Sequence, residues 1–184
     1  ISMAAYGAVT ATTSIGGNAA VERGQGWGRQ LGLTPLADSS YIAMKALIAM
    51  TVAAVPILLT YLLGALTGAN GSALAWALSA ALVLLGSSVF ALYGLLIGTA
   101  FRSEAAVGAA AGTLVIPLSG ALLSFAKLTP LYGYAALARY PLTEGFLPDG
   151  SRDPLWLPVT NVVVWAVVFG LLATVLVRRG RERQ

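Results

Sequence analysis

Residues 21–36 read VERGQGWGRQLGLTPL and place Glu22, Arg23 and Arg29 between two long apolar regions. Ionised side chains are costly in the hydrocarbon core of a bilayer, so a charged insert of this length has to leave the membrane. The stretch therefore predicts a surface at which the chain meets a soluble partner. The segments on either side of it are predicted to be membrane helices that begin or end at this surface.

The composition supports an integral membrane protein. Of the 184 residues, 58% are hydrophobic and only 10% are charged, and the mean hydropathy is +0.81, whereas soluble domains carry about 25% charged residues. The net charge of +4 is small and is spread over few cations, which argues against nucleic-acid binding. The chain has neither Cys nor His, and this excludes disulfides, Cys/His metal sites and catalysis by either residue.

Long uncharged runs predict the membrane spans. Residues 1–20 carry no charge, and residues 155–177 form a second such run. Residues 46–101 are uncharged over 56 positions, which suits two spans, and the sequence TGANGS at 67–72 is the expected turn between them. A further apolar stretch, residues 105–126, is interrupted by Pro117. The fold class predicted is all-α: one membrane helix bundle over residues 1–184, with five spans in this chain.

Residues 118–154 are too polar to span and too apolar to be a free loop. Pro117, Pro130 and Pro141 are predicted to divide residues 118–147 into pieces too short to cross the bilayer. Short extracellular helices, either re-entrant or interfacial, fit this composition best.

The first apolar run is the most polar of the set. Its hydroxyl and amide side chains can bond to their own helix backbone, as is common in membrane helices, or they can line a polar path through the membrane. Both interpretations stay open. The candidate path residues are Thr10, Thr13, Ser14 and Asn18. Three small-xxx-small pairs, which can allow close helix packing, are Gly64/Gly68, Gly94/Gly98 and Gly108/Gly112.

The distribution of Lys and Arg predicts the orientation. With five crossings, eight of the eleven cations fall on the side that holds residues 21–36, residue 102 and the C-terminus, and the other three are Lys127, Arg139 and Arg152. Positive residues are enriched on the cytoplasmic side. The C-terminus and residues 21–36 are therefore expected in the cytoplasm, with residues 118–154 outside.

The chain has no recognisable ATP-binding loop. Gly24, Gly26 and Gly28 are spaced like a phosphate-binding loop, but no Gly-Lys-Ser/Thr sequence is present and no strand is expected beside them. If ATP is used, a separate chain is expected to hydrolyse it.

The sequence resembles the ABC type-2 transporter permeases, which export drugs, antibiotics and lipids. The resemblance is carried by Glu22-Arg23, Gly26, Arg29-Gln30-Leu31, Thr34-Pro35 and Lys45, and by Pro117-Leu118-Ser119-Gly120, Pro130 and Pro141-Leu142. The order of the spans is similar too. The family usually has six spans after an amphipathic helix, so the resemblance implies that this helix and the first span are missing here.

The resemblance also implies a mechanism, partners and site residues. Two permease subunits, identical or different, would pair in the bacterial plasma membrane, surrounded by lipids. Each would dock a cytoplasmic ATPase, which binds the ATP and Mg²⁺, and no cofactor is expected in this chain. The implied ATPase-coupling residues are Glu22, Arg23, Trp27, Arg29, Gln30, Leu31 and Thr34, and the implied extracellular gate region is Pro117, Ser119 and Gly120.

Two other functions stay open. One is a channel or membrane-anchoring subunit that is not coupled to ATP. The other is a membrane-embedded enzyme, which the sequence disfavours because intramembrane chemistry needs ionisable groups at depth. The carboxylates lie almost entirely in loops or the tail, and Glu104 and Glu144 are isolated.

Overall fold

The computed structural model describes residues 1–25, 37–69, 71–100, 127–147, 150 and 152–182. Within these residues the protein is all-helical, apart from an isolated antiparallel bridge between Phe146 and Arg152. The helices are α1 (Ser2–Gly17), α2 (Ala19–Gly24), α3 (Asp38–Leu66), α4 (Ala73–Ala100), α5 (Pro130–Thr143) and α6 (Trp156–Glu182).

In the part of the chain that the structure describes, three helices are long and apolar enough to cross a membrane: α3, α4 and α6, with 29, 28 and 27 residues. They cover the uncharged runs expected to span, and the predicted turn at residues 67–72 lies between α3 and α4. The full count of five spans is not confirmed. Helix α1 has 16 residues, or about 24 Å, and residues 101–126 lie outside the described residues.

Two local expectations are wrong in detail. Residues 1–20 do not form a single helix, because α1 ends at Gly17 and the chain turns at Asn18 before α2 begins. Pro141 does not divide the region after Pro130, since α5 runs through it. A proline in the last turn of a helix removes only one backbone hydrogen bond, so the helix can continue past it. Helix α5 ends at Thr143, and Glu144 follows in the left-handed conformation (φ 50°).

The start of α5 follows the expectation at Pro130. A proline in the first turn costs little, since the N–H it lacks would have no partner within the helix. Thr129 caps this end, where its hydroxyl oxygen accepts a hydrogen bond from Tyr132 N at 3.3 Å. Residues 130–143 thus form one helix of 14 residues, too short to cross the bilayer.

Contacts between the helices fix their directions and define two ends of the bundle. Helices α1, α4 and α6 run parallel, because Thr13 and Gly17 pack on Gly94 and Gly98, and Leu92 faces Gly170. Helices α3 and α5 run the other way. We call the end with the α3–α4 turn and the start of α6 the turn end. The opposite end, where α2 and the arginines of α6 lie, is the basic end.

Helix α4 lies at the centre and packs against α1 through backbone contact. A Cβ added to Gly94 would meet the carbonyl oxygen of Thr13, and one added to Gly98 would lie 2.6 Å from that of Gly17. The glycine pair Gly94/Gly98 is therefore a packing contact, as its spacing predicts. Gly64 packs on the ring of Trp76, whereas Gly68, at φ +75°, has no atom within 4 Å of the position of a Cβ. A packing role for the pair Gly64/Gly68 is therefore not confirmed at Gly68.

Helix α5 occupies the turn-end half of the bundle, between α4 and α6. Its Tyr134 is 1% exposed and donates a hydrogen bond to Val83 O at 3.1 Å, with Ala5 O at 3.4 Å. The ring packs edge-on against Phe90, at 5.2 Å between centroids, over the space left by Gly86. Tyr134 thus joins α5 to α1 and α4 in the interior.

Candidate functional site

The segment predicted to couple to an ATPase begins with α2 at the basic end of the bundle. Glu22 is half-buried and forms an ion pair with Lys45 of α3, whose side chain is 13% exposed. Tyr41 also donates a hydrogen bond to Glu22 Oε2 at 3.3 Å. These bonds attach the first turn after α1 to the start of α3.

This pairing was not foreseen from the sequence. In the sequence Lys45 is singled out only as one of the residues that carry the family resemblance, and it lies 23 positions from the carboxylate that it binds. An acid and a base on the two sides of a connecting segment can meet when the flanking helices are antiparallel neighbours. Because α1 and α3 are antiparallel, the positions of Glu22 and Lys45 on the two sides of the connecting segment are the sequence signal for this ion pair.

Most of the other residues predicted to couple to an ATPase lie outside the residues that the structure describes. Arg23 is part of α2. Trp27, Arg29, Gln30, Leu31 and Thr34 lie outside the described residues, as do the gate-region residues Pro117, Ser119 and Gly120. Their roles stay predictions.

The four candidate path residues do not share one face of α1. Thr10, Ser14 and Asn18 are spaced four apart, and all three are exposed, so they form a polar stripe on the outer face of the helix. Thr13 is 1% exposed and lies against α4. The structure therefore brings three of these residues together and separates Thr13 from them.

Hydroxyl groups of α1 bond to their own helix backbone at two positions, whereas a polar path along the helix stays a prediction. Thr10 donates to Tyr6 O at 2.9 Å and Thr12 to Ala8 O at 2.8 Å, so these two satisfy their own helix backbone. The buried Thr13 Oγ1 has no hydrogen-bond partner among the described residues. Since it sits at the closest approach of α1 to α4, small size rather than hydrogen bonding explains a threonine at this position.

A polar cluster at the turn end was also missed. Asp153, 8% exposed, accepts hydrogen bonds from Lys127 Nζ at 3.0 Å and from the hydroxyl of Tyr132. The hydrogen bond to Asp153 raises the pKa of Lys127, and burial followed by this carboxylate raises the pKa of Tyr132. The cluster holds the loop before α6 against the start of α5.

Helix α6 holds the same start of α5 from the other side. Asn161 Nδ2 donates to Lys127 O at 2.9 Å, and Trp165 Nε1 donates to Leu128 O at 2.8 Å. The backbone before a helix has carbonyls that need partners when they lie beside apolar surface. Asn161 and Trp165, two side chains with N–H donors within a mostly apolar span, are the sequence signal for this contact.

A cavity of about 370 Å³ lies beside this cluster, between the second half of α5 and the loop that leads to α6. Its lining includes Arg139, Tyr140, Phe146, Asp153 and Pro158. Among the described residues, no group of three or more acidic side chains could hold a metal ion.

Comparison of the chain with protein-family models finds no match, and comparison with curated proteins finds none either. The resemblance to type-2 permeases therefore rests on the residues of the sequence itself.

Proposed function

We propose that the chain is the membrane-spanning permease subunit of an ATP-driven exporter of the ABC type-2 kind. It moves an amphipathic or apolar compound, such as a drug, an antibiotic or a lipid, out of the cytoplasm by alternating access. A separate ATPase subunit binds and hydrolyses ATP. Three helices able to cross a membrane, packed in one bundle, supply the membrane part of this proposal.

The observation that carries the coupling is the contact between Glu22, Lys45 and Tyr41. A partner that moves residues 21–36 would pull on a half-buried ion pair at the head of α3. Such a pair resists separation because each charge would be left in a poorly solvated site. The ion pair would therefore transmit movement of residues 21–36 to α3.

The distribution of cations supports a cytoplasmic basic end. Five cations of the described residues belong to the basic end, namely Arg23 of α2, Lys45 of α3, and Arg178, Arg179 and Arg181 of α6, and three lie towards the turn end, namely Lys127, Arg139 and Arg152. With the five crossings that the sequence predicts, the split over the whole sequence would be eight to three, and positive residues are enriched on the cytoplasmic side. The proposal therefore has the C-terminus in the cytoplasm of a bacterial cell, where an ATPase can reach residues 21–36.

The polar stripe of α1 supports a paired assembly. Thr10, Ser14 and Asn18 face outwards from the bundle. Although the Thr10 hydroxyl is bonded to Tyr6 O, a polar strip of this kind is accommodated better by a protein partner than by lipid chains. A second permease subunit, identical or different, would cover the stripe, and the compound would pass along it. The absence of charge from these three side chains favours an apolar or amphipathic cargo.

The alternative is a channel or anchoring subunit without ATP coupling. The Glu22–Lys45 pair would then only stabilise the bundle, and residues 21–36 would be a charged loop. Stable association with an ATPase separates the two functions.

The test is purification of the tagged chain from its native membrane in a mild detergent. We expect an ATPase with a Gly-x-x-x-x-Gly-Lys-Ser/Thr loop to co-purify in a fixed ratio and to hydrolyse ATP in the complex. Arg29→Glu and Trp27→Ala should both reduce its association and the ATP-dependent export of the compound, because they alter the proposed interface and leave the spans unchanged. Truncation of an aromatic anchor can cost about 2 kcal/mol of binding.

The matched control is Arg181→Glu, which reverses a charge in the C-terminal tail and should have less effect. Full ATPase association and full export in both interface variants would reject the coupling role. Purification without any ATPase, with ion conduction by the chain alone in liposomes, would favour the channel.

A further inference from the structure

The lining of the cavity beside Asp153 includes Arg139, which forms no ion pair with any carboxylate that the structure describes. Arg139 Nε donates to Ala135 O, one turn earlier in α5, at 3.1 Å. This bond holds the guanidinium group against its own helix, and its other nitrogens remain available. Among the described residues, no carboxylate lies within ion-pair distance of Arg139.

The carboxylate that lines the same cavity is already engaged. Asp153 forms an ion pair with Lys127 and accepts a hydrogen bond from the hydroxyl group of Tyr132. Its negative charge is therefore neutralised by Lys127 and not by Arg139. Glu144 is exposed and is not part of the lining. The cavity therefore presents a net positive group to an occupant.

A second arginine lies at the rim. Arg152 donates through Nε to Glu144 O at 3.0 Å, and its guanidinium group lies 5.3 Å from the centre of the Phe146 ring. Phe146 itself lines the cavity and is 55% exposed. The lining thus includes an aromatic ring that itself contacts a second arginine, although Arg152 is not part of the lining.

The rest of the lining is apolar, including Ala136, Leu147 and Pro158. Pro158 lies in the first turn of α6, and the neighbouring Trp156 is 66% exposed. Exposed Trp at the end of a spanning helix is typical of the level at which lipid headgroups meet acyl chains. Pro158, which lines the cavity, is two residues from Trp156, and the cavity volume of about 370 Å³ is in the range of small-molecule sites.

We propose that this cavity binds an amphipathic anion, with a phosphate or phosphodiester at Arg139 and an apolar chain against Phe146, Leu147 and Pro158. The guanidinium fork matches the oxygens of a phosphate, and basic pockets beside membrane helices bind anionic lipid headgroups in this way. An anionic phospholipid is the source that the position of the cavity favours. The site does not depend on ATP coupling, so its failure would leave the proposed function untouched.

The experiment uses the purified full chain in a neutral detergent, titrated with dioctanoyl phosphatidylglycerol, dioctanoyl phosphatidylcholine and inorganic phosphate. Binding is measured by native mass spectrometry and by the shift in Tm. We expect the anionic lipid to bind and to raise the Tm, and the zwitterionic lipid to do so more weakly. Arg139→Gln should weaken the anionic lipid by about tenfold or more, as expected for loss of a charge-assisted bidentate contact.

Three further variants make the result specific. Arg139→Lys keeps the charge and removes the fork, so it should bind with intermediate affinity. Phe146→Ala removes an exposed side chain that the fold does not need, and it should weaken the lipid but not inorganic phosphate. Arg179→Gln removes a charge at the basic end and should leave the affinity unchanged.

Several outcomes would overturn the proposal. Equal affinities for phosphatidylglycerol and phosphatidylcholine would show that the negative charge of the lipid does not matter. Unchanged affinity for phosphatidylglycerol in an Arg139→Gln variant with the Tm of the parent protein would show that Arg139 does not bind the lipid. Inorganic phosphate binding as tightly as phosphatidylglycerol would make a free anion the ligand and would overturn the apolar half of the site.

Discussion

Helices α4 and α6 have almost the same length and apolar character, yet they occupy different environments. Their most apolar stretches have mean hydropathies of 2.2 and 2.3, but half of the stretch in α4 is buried inside the protein and only 11% of that in α6. In a bilayer the lipid is as apolar as the protein interior, so hydropathy indicates that a helix crosses and not where it packs. The difference teaches that another property of the sequence selects the central helix.

That property is the size of the residues on one face. Helix α4 carries Gly86, Gly94 and Gly98 where Tyr134 and the backbone of α1 approach, whereas Gly170 of α6 has its nearest neighbour, Leu92 Cδ1, 3.9 Å from the position of a Cβ. Close approach of backbones gains dispersion contacts that lipid cannot replace. The following substitutions test this explanation, from the largest expected effect to the smallest.

Gly94→Val should destabilise the bundle by about 3 kcal/mol. The new Cβ would meet the carbonyl oxygen of Thr13, a backbone atom, so no change of rotamer can relieve the contact and α1 must move away. The measurement is the yield of monodisperse protein together with its apparent Tm in detergent. Gly170→Val is the matched control and should change stability by less than about 0.5 kcal/mol. Equal loss in both variants would show that glycine size does not distinguish the helices.

Leu95→Ala should cost about 2 kcal/mol, whereas Leu171→Ala should cost almost nothing. Leu95 is 1% exposed and packs with Ala173 and Val177, while Leu171 is 63% exposed. Truncation leaves a cavity only at the first site, because lipid fills the second. Unfolding in a denaturing detergent, followed by near-UV circular dichroism, gives both values. A larger effect at Leu171 would mean that α6 is covered on its outer face in solution.

Tyr134→Phe should cost about 1 kcal/mol, the net contribution of one hydrogen bond. The hydroxyl group that bonds to Val83 O is lost, and the ring that packs on Phe90 remains. Tyr6→Phe, at an exposed position of α1, is the control and should be neutral in the same Tm assay. If the two variants melt alike, the attachment of α5 to the centre depends on ring packing alone.

Ser87→Ala should change stability by about 0.5 kcal/mol or less. Ser87 is fully buried in α4 and donates to Leu84 O of its own helix at 2.6 Å, and such bonds contribute little in membrane helices. Ser87→Leu should instead destabilise by about 2 kcal/mol through overpacking. This pair separates size from polarity, and a large loss in the alanine variant would mean that the hydroxyl group itself selects α4 as the central helix.

The three long apolar helices α3, α4 and α6 and the turn between α3 and α4 could be predicted because absence of charge over a sufficient length is a local property of the sequence. The place of α5 could not, since the burial of Tyr134 depends on a space at Gly86, 48 positions away. The Glu22–Lys45 pair and the Asp153 cluster were missed for the same reason: their partners are distant in sequence. The exposed stripe of Thr10, Ser14 and Asn18 follows from helical spacing, while the burial of Thr13 follows from the position of α4.

The contact of Thr13 and Gly17 with Gly94 and Gly98 has a mechanical consequence. Two helices that pack through side chains can adopt several relative positions, because the side chains can change rotamer. A contact between a backbone carbonyl oxygen and a glycine involves no side-chain torsion and does not allow this adjustment. Helices α1 and α4 are therefore expected to move as one rigid rod. Shear motions proceed by small sliding of helices whose side chains can readjust, as those of Tyr93 and Phe169 can, at 5.2 Å between ring centroids. A conformational change should accordingly be accommodated where helices pack through side chains, as α4 and α6 do at Tyr93 and Phe169 and as α3 does against α1 at Pro56, while α1 and α4 keep their relative position.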